Sequence, residues 1–304
     1  MREPSSSSTQ VSPPEYKAIG LALLRKENQR KNWQYTEQSQ KKDWATFYGI
    51  APEVASNVWN KLVARGRIPN AGKPKHLLFA YIFLKVYSGD KPMSKIVGCH
   101  FNTFSKWAWI FIRLVHGLHQ EVIRFENRLI NWDWTKTNAS CTVDCTTFGC
   151  LDTFPFDKAM WDPKRERAGL KYEVAHSIHN ASIVHWNGWF KGSVSDIKIF
   201  RDCLKEKLEP TECVESDSGC SGEACLKNPD VAKSRKSKQQ KGVVRARQET
   251  IFCKMKKFGS MSGIWIHDYD KHELAFGAII VSIQLGLELG TVELFDVEYE
   301  AEYF

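Results

Sequence analysis

The spacing of apolar and polar residues changes near residue 139 of this chain. Before that point, residues 77–87 are almost entirely apolar, which predicts a buried helix. After it, short runs rich in β-branched residues predict strands at 140–147, 172–178, 181–186 and 212–216. His179 and Asn180 separate two of these runs, as in a hairpin.

Helical periodicity returns between and after the strands, at residues 196–208, 243–258 and 272–289, and residues 292–299 suggest a last strand. The order strand, hairpin, helix, strand, helix is compatible with an α/β fold of the RNase H-like kind, a mixed sheet flanked by helices. In that fold the first strand is central and the fourth lies beside it.

Three segments follow from this pattern. Residues 1–15 are polar and rich in Ser and Pro, so we expect them to be disordered. Residues 16–135 read as a helical region, in which 16–48 is solvent-facing and 126–135 belongs to a linker that runs to residue 138. Residues 136–304 form the predicted RNase H-like domain.

Residues 93–115 resemble a helix-turn-helix, with residues 93–98 as a turn containing Gly98 and with Asn102 or Thr103 capping the second helix. In a DNA-binding arrangement, Ser105 and Lys106 would lie near the major groove. Ordinary helical bundles contain the same pattern, so the local sequence favours plain packing, and DNA reading stays the other interpretation.

Charge is distributed unevenly: the formal net charge of +8 arises from +11 over residues 1–130, +5 over 131–259 and −8 over 260–304. A basic front favours a polyanionic partner. The basic run at 233–241, which includes Lys236 and Lys238, is a solvated loop, a contact to the DNA backbone or a nuclear-import signal. The longest apolar stretch, residues 275–289, contains polar residues and predicts a buried helix, with no membrane span.

The 9 cysteines do not form Cys-x-x-Cys pairs, and no secretory signal precedes them. An odd number of cysteines without such a signal indicates reduced thiols in a cytosolic or nuclear protein. We therefore interpret them as core and loop residues. His176, His179 and His185 in the predicted hairpin are likewise interpreted as structural or surface residues.

Three acidic residues stand in three different elements. Asp144 lies within a β-branched run, Asp217 ends a second such run, and Glu249 lies on the helix predicted at 243–258. A carboxylate inside a strand is costly to bury unless it is paired or binds a metal. Asp196 competes with Asp217 as the second ligand, although it also suits the N-cap of the next helix. Glu249 could instead form a surface ion pair with Arg245 or Lys256.

Short motifs at these residues resemble the DDE transposases of the PIF/Harbinger kind, a family also described as DDE superfamily endonucleases. The resemblance covers roughly residues 75–300. Its motifs are Thr142-Val143-Asp144-Cys145-Thr146, Gly192-Ser193-Val194-Ser195-Asp196, Glu215-Ser216-Asp217-Ser218-Gly219, Arg245-Ala246-Arg247-Gln248-Glu249 with Lys256, residues 276–284 and residues 294–299.

The resemblance implies that Asp144, Asp217 and Glu249 are catalytic and hold two divalent cations, Mg²⁺ or Mn²⁺. It also implies a nuclear protein that acts on double-stranded DNA at transposon ends and joins 3′-OH ends to target DNA. The basic residues Arg245 and Lys256, with Lys236 and Lys238, would contact the DNA backbone. A homo-oligomer and a separate DNA-binding helper protein are further expectations. Cys220 departs from the pattern, because the family has an aromatic residue there.

Two other functions stay open. The chain could be a domesticated or decayed transposase that binds DNA without cutting it. It could also be an unrelated RNase H-like nuclease that acts on RNA or hybrid duplexes. The intact set of three acids favours a cutting enzyme over the first of these.

Overall fold

The computed structural model describes residues 9–25, 36–180, 182–228, 234–295, 297 and 299. Contacts divide the chain into two units. The first comprises Met1–His119, Lys257–Ser262 and Leu274–Val292; the second comprises Gln120–Lys256, Gly263–Glu273 and Glu293–Phe304. The sequence-based boundary lies after residue 135, whereas the contacts place the first change of unit after His119 and return the chain to the first unit twice.

The described residues form a mixed α/β structure. Its α-helices are α1 Pro13–Arg25, α2 Glu37–Tyr48, α3 Pro52–Ala64, α4 Pro74–Val86, α5 Asp90–Ile96, α6 Phe101–His116, α7 His119–Val122, α8 Asp196–Asp202, α9 Arg235–Met255, α10 Gly259–Ser262 and α11 Tyr269–Glu288. Its strands are β1 Ala139–Gly149, β2 Trp161–Asp162, β3 Arg167–Ser177, β4 Ile183–Lys191, β5 Cys213–Glu215 and β6 Leu226–Lys227. Short 3₁₀ turns lie at Phe125–Leu129, Lys158–Met160 and Lys205–Lys207. None of these helices is long and apolar enough to cross a membrane.

Helix α4 lies in the core of the first unit. Its residues from His76 to Leu84 are all buried, as expected for a helix that is apolar on every side. The hydroxyl groups of Tyr81 and Ser282 form a buried hydrogen bond of 2.9 Å, which joins α4 to α11. The predicted buried helix at 77–87 is therefore confirmed, and it begins three residues earlier.

The expectation that residues 16–48 face solvent is wrong for the described part of that segment. Trp44 and Tyr48 are buried, and the Tyr48 hydroxyl donates to the Gly20 carbonyl at 2.8 Å. Gly20 permits this packing, because a Cβ atom there would lie 2.2 Å from the Trp44 ring. Helix α1 also begins at Pro13, within the predicted disordered segment, while residues 1–8 and 26–35 lie outside the described residues.

Two helices, α5 and α6, occupy the segment of the predicted helix-turn-helix and are separated by residues 97–100. Gly98 occupies the left-handed region with φ 63°, which lets the chain reverse after α5. The predicted capping by Asn102 or Thr103 is wrong: α6 begins at Phe101, and the His100 ring accepts a hydrogen bond from the Asn102 amide. The predicted turn at 93–98 is mostly helix α5, whose first turn accommodates Pro92 because that position needs no amide donor.

The second unit contains a mixed sheet with β1 at its centre. Strand β1 pairs antiparallel with β3 and parallel with β5, while β4 pairs with β3 and β6 with β5. The two-residue strand β2 extends the sheet beside the start of β3. Helices α8 and α9 pack against this sheet. The order of strands is compatible with an RNase H-like fold, in which the first strand is central. If the two-residue β2 is not counted, β5 is the fourth strand, and it is parallel to β1 as in that fold.

Several predicted bounds differ from the structure. Helix α9 starts at Arg235 rather than Val243, because Ser234 caps it by accepting from the Ser237 amide at 3.1 Å. The predicted helix at 196–208 ends at Asp202 and gives way to a 3₁₀ turn. Strand β4 continues to Lys191, five residues beyond the predicted end of that strand at residue 186. Of residues 292–299, those that the structure describes do not form a strand.

The segment predicted as a linker is anchored to the second unit. The Arg128 side chain is buried and donates to both carboxylate oxygens of Glu212, at 2.7 and 2.9 Å. Trp132 is also buried, and its indole donates to the Thr137 carbonyl at 2.9 Å. The segment therefore packs within the second unit rather than forming a linker, and one of its charged residues belongs to a buried ion pair.

Candidate functional site

Strand β1 places Asp144 on the sheet face that meets α9. The same face carries His176, whose ring contacts the Gln248 amide oxygen of α9. The Cys145 amide donates to Asp144 Oδ1 at 2.7 Å. Burial raises the pKa of Asp144 to about 7, and the nearby carboxylate of Asp217 adds to that shift. Glu249 and Asp196 raise it further, so all four acidic groups lie within electrostatic reach of one another at Asp144.

The parallel register of β1 and β5 brings Asp217 beside Asp144. Thr142 is the partner of Glu215. Asp144 lies two residues farther along β1, and Asp217 lies two residues beyond the end of β5. Asp217 Oδ1 accepts hydrogen bonds from the Gly219 amide at 3.0 Å and the Cys220 amide at 3.1 Å. This turn orients the carboxylate, and the buried Cys220 contributes its backbone to the turn, so the bonds do not depend on an aromatic side chain there.

Helix α9 contributes Glu249 to the same region. Lys241, Val244, Arg245 and Gln248 line a cleft that Asp144 and Asp217 also line. Their spacing of three and four residues places these side chains on one face of the helix. Glu249 follows Gln248 directly and lies beside that face. Glu249 is exposed, and its carboxylate is near enough to Asp144 to add to the rise of that pKa.

Asp196 has two cationic partners of its own. Lys171 Nζ lies 3.0 Å from Asp196 Oδ1, and Lys164 Nζ lies 3.9 Å from Oδ2. Ser195, rather than Asp196, is the N-cap of α8 and makes no capping hydrogen bond through its side chain. Asp196 is thus near Asp144, but lysines already balance its charge.

The donor chemistry fits a hard divalent cation such as Mg²⁺, which prefers carboxylate oxygens. The raised pKa of Asp144 reflects burial first and the neighbouring carboxylates second, and a bound metal ion would lower it. No group of three or more His, Cys, Asp or Glu side chains among the described residues is close enough to hold a metal ion as it stands. The acids are gathered, but they do not form a closed coordination shell.

The predicted DNA-contacting residues occupy two places. Arg245 is exposed beside the cleft, and Lys256 is half-buried, so burial and the nearby Arg165 lower its pKa. Lys236 and Lys238 are exposed near the start of α9, whereas Lys233 lies outside the described residues. Ser105 is half-buried and Lys106 exposed on α6, in the first unit.

Sequence reasoning missed a buried set of three side chains at this site. Lys241 Nζ lies 2.6 and 2.7 Å from the two Glu215 oxygens, and the Tyr299 hydroxyl donates to the same carboxylate. Burial pushes the pKa of Glu215 up and that of Lys241 down. The sequence interpretation places Lys241 at the end of the basic run at 233–241. Its spacing to Val244, Arg245 and Gln248 is nevertheless that of one helical face.

The three histidines make internal contacts. His176 is fully buried, and burial lowers its pKa to about 3, so it is neutral. A ring nitrogen of His179 lies 2.9 Å from the Ala139 carbonyl. His185 Nε2 lies 3.5 Å from the buried carboxylate of Glu173.

Comparison of the chain with models of protein families, with curated proteins and with solved structures finds no match.

Proposed function

We propose that this protein is a metal-dependent DNA endonuclease with an RNase H-like catalytic domain, acting as a transposase of the PIF/Harbinger kind. The observation that supports the proposal most is the alignment of Asp144 on β1 with Asp217 beyond β5, with Glu249 of α9 close enough to affect the pKa of Asp144. Asp144 and Asp217 line one cleft, and Glu249 lies on the helix that lines its other side.

In this proposal Asp144, Asp217 and Glu249 would hold two divalent cations. Two such ions stabilise the attacking and the leaving oxygens of a phosphodiester. The turn at Gly219 and Cys220 keeps Asp217 oriented by two amide hydrogen bonds. Arg245 and Lys256 flank the acids and would bind phosphates of the DNA strand, because their charge complements a polyanion. The same site would join a 3′-OH end to target DNA.

The test is cleavage of DNA from the regions that flank the coding sequence, in Mg²⁺ or Mn²⁺. We expect cuts by the unaltered protein, and none by Asp144→Asn or Glu249→Gln, while both variants keep their fold and their DNA binding. Asp202→Asn is a matched control, because that exposed aspartate pairs only with Lys198 among the ion pairs of the described residues. Full cleavage by Asp144→Asn would refute the assignment.

A second function, DNA binding without cleavage, has one observation in its favour. Cys220 stands where the family that the chain resembles has an aromatic residue, next to the turn that orients Asp217. A decayed transposase would bind DNA but show no Glu249-dependent binding of Mn²⁺. Isothermal titration of the protein with Mn²⁺, with Glu249→Gln beside it, separates the two functions. Cleavage of RNA or hybrid duplexes in preference to DNA would indicate a nuclease of another kind.

A further inference from the structure

The end of β5 and the start of α9 are joined by a buried ion pair. Both oxygens of the Glu215 carboxylate contact Lys241 Nζ, at 2.6 and 2.7 Å. The two side chains are 4% and 1% exposed, so water reaches neither partner to a useful extent. Removing one partner of such a pair leaves an uncompensated charge in the protein interior.

Each member of this pair stands at a fixed distance from a candidate ligand. Glu215 is the last residue of β5 and precedes Asp217 by two residues, and both line the same cleft. Lys241 precedes Glu249 by eight residues, which is a rise of about 12 Å along α9. The ion pair therefore links the element that carries Asp217 to the helix that carries Glu249.

The C-terminal segment adds a second connection to the same helix. The Tyr299 hydroxyl donates to Glu215 Oε1, and the Arg247 guanidinium donates to the Phe295 carbonyl at 2.7 and 3.1 Å. Tyr299 also packs against Val244 in a small apolar cluster. Helix α9 is thus held to β5 and to the C-terminal segment along more than one turn.

We infer that Lys241, Glu215 and Tyr299 are positioning residues that set the register of α9 against β5, and so hold Glu249 at the distance from Asp217 that the site requires. The inference rests on the proposed function for its purpose. Lys241 is then a structural cation of the site rather than a contact to DNA, although it belongs to the basic run of the sequence.

The test compares Lys241→Met and Tyr299→Phe with Arg128→Met. Arg128 is a matched control, because it forms an equally buried ion pair with Glu212 at the opposite end of β5. The first readout is hydrogen exchange of the metal-free protein at the amides of Ser216, Gly219 and Cys220. These amides bond to the Lys227 carbonyl and to Asp217 at the end of β5.

We expect these amides to exchange at least about tenfold faster in Lys241→Met than in Arg128→Met, compared at conditions of equal global stability. Tyr299→Phe should give a smaller change in the same direction, and Lys241→Arg, which keeps the cation, should restore most of the protection. Equal exchange in Lys241→Met and Arg128→Met would overturn the inference, because the effect would then be a general loss of stability.

The second readout is the affinity for Mn²⁺, which we expect to fall about tenfold or more in Lys241→Met and to stay unchanged in Arg128→Met. Unchanged affinity in Lys241→Met also overturns the inference. If the unaltered protein does not bind Mn²⁺, the proposed function fails, and the exchange experiment, which uses no metal, still decides whether the three residues position the end of β5.

Discussion

At the scale of single residues, the surroundings of Asp144 are unfavourable for a charged carboxylate in the metal-free protein but favourable for a bound cation. Its carboxylate is largely buried next to other acids, and its pKa is raised to about 7 by burial and by Asp217. A group in such surroundings lowers stability when it ionises, yet it attracts a divalent cation. Proteins keep such arrangements where function needs them, at a cost in folding stability.

Replacing Asp144 should therefore stabilise the metal-free protein. Its pKa in the folded state exceeds the ordinary value of 3.8, so the folded protein holds a proton that the unfolded chain releases between about pH 4 and pH 7. Rising pH through this window lowers the free energy of unfolding of the unaltered protein. Asp144→Asn lacks this loss and should be more stable by on the order of 2–3 kcal/mol at pH 8.

Urea unfolding in the presence of a chelator measures this effect. The advantage of Asp144→Asn should shrink below pH 7 and disappear near pH 4, where the aspartate is protonated in both states. A stability difference that does not vary with pH would contradict the pKa shift. Asp202→Asn serves as the control, because Asp202 is exposed and lies in a surface ion pair.

The buried pair of Arg128 and Glu212 gives a second prediction at this scale. Arg128→Met leaves the Glu212 carboxylate without its bidentate partner, and Ser140 and the Glu209 amide remain its only hydrogen-bond donors among the described contacts. We expect the free energy of unfolding to fall by about 3–5 kcal/mol. The midpoint of urea unfolding tests this, and a loss below about 1 kcal/mol, as for a surface pair, would contradict it.

At the scale of elements, α6 is the part of the first unit that carries Ser105 and Lys106, the residues predicted from the sequence to lie near the DNA groove. Its polar positions near the N-terminus include the exposed Lys106, next to half-buried Ser105, and its opposite face buries Phe104 and Ala108. A helix with one buried face and one exposed basic face after a glycine turn suits a recognition helix. An exposed lysine is also usual on a solvated helix face, so DNA binding by α6 stays a prediction.

Lys106→Ala should weaken DNA binding without a change in thermal stability. If Lys106 contacts a phosphate, affinity falls similarly for all DNA sequences, and the dependence of log K on log salt becomes shallower by about 1. Titration of labelled DNA at several salt concentrations measures both. Lys42→Ala on α2 is the control, since that lysine is also exposed. An identical salt dependence in both variants would count against α6 as the DNA-binding helix.

Sequence patterns predicted best those elements whose burial follows directly from the spacing of their apolar residues. The apolar run of α4 and the strand that carries Asp144 were predicted within three residues of their observed starts. The start of α9 was missed, because Ser234 and a basic first turn read as a loop. The pairing of Lys241 with Glu215 and Tyr299 could not be predicted, because it joins positions that are far apart in sequence and meet only when the sheet forms.

At the scale of the whole molecule, the first unit is discontinuous in sequence. Helix α11 begins in the second unit at Tyr269 and continues in the first from Leu274. Its residues Ala275, Phe276, Ile279 and Ile280 are fully buried. The sequence pattern predicted one boundary between the helical region and the α/β domain, after residue 135. The spacing of apolar residues shows which face of a helix is buried but not which unit it packs against.

A fragment of residues 1–135 should consequently lack a fixed fold. Without α11 it exposes the apolar surface around Tyr81, and each large apolar side chain that loses its cover costs about 1.5–3 kcal/mol. Circular dichroism and urea unfolding should show helix without a cooperative transition. Adding residues 257–292 through a linker should restore the transition. Cooperative unfolding of the shorter fragment would show that the unit is complete without α11.

Tyr299 follows Glu249 in the chain, so the buried set of Glu215, Lys241 and Tyr299 is completed late in synthesis. Glu249 leaves the ribosome fifty residues before Tyr299, which at usual rates of translation is an interval of about 3–10 s. During that interval the nascent chain possesses every acidic residue of the cleft, yet Glu215 still lacks its tyrosine. The register of α9 against β5 would then be completed only after Tyr299 emerges, so the proposed site would reach its final geometry late in synthesis.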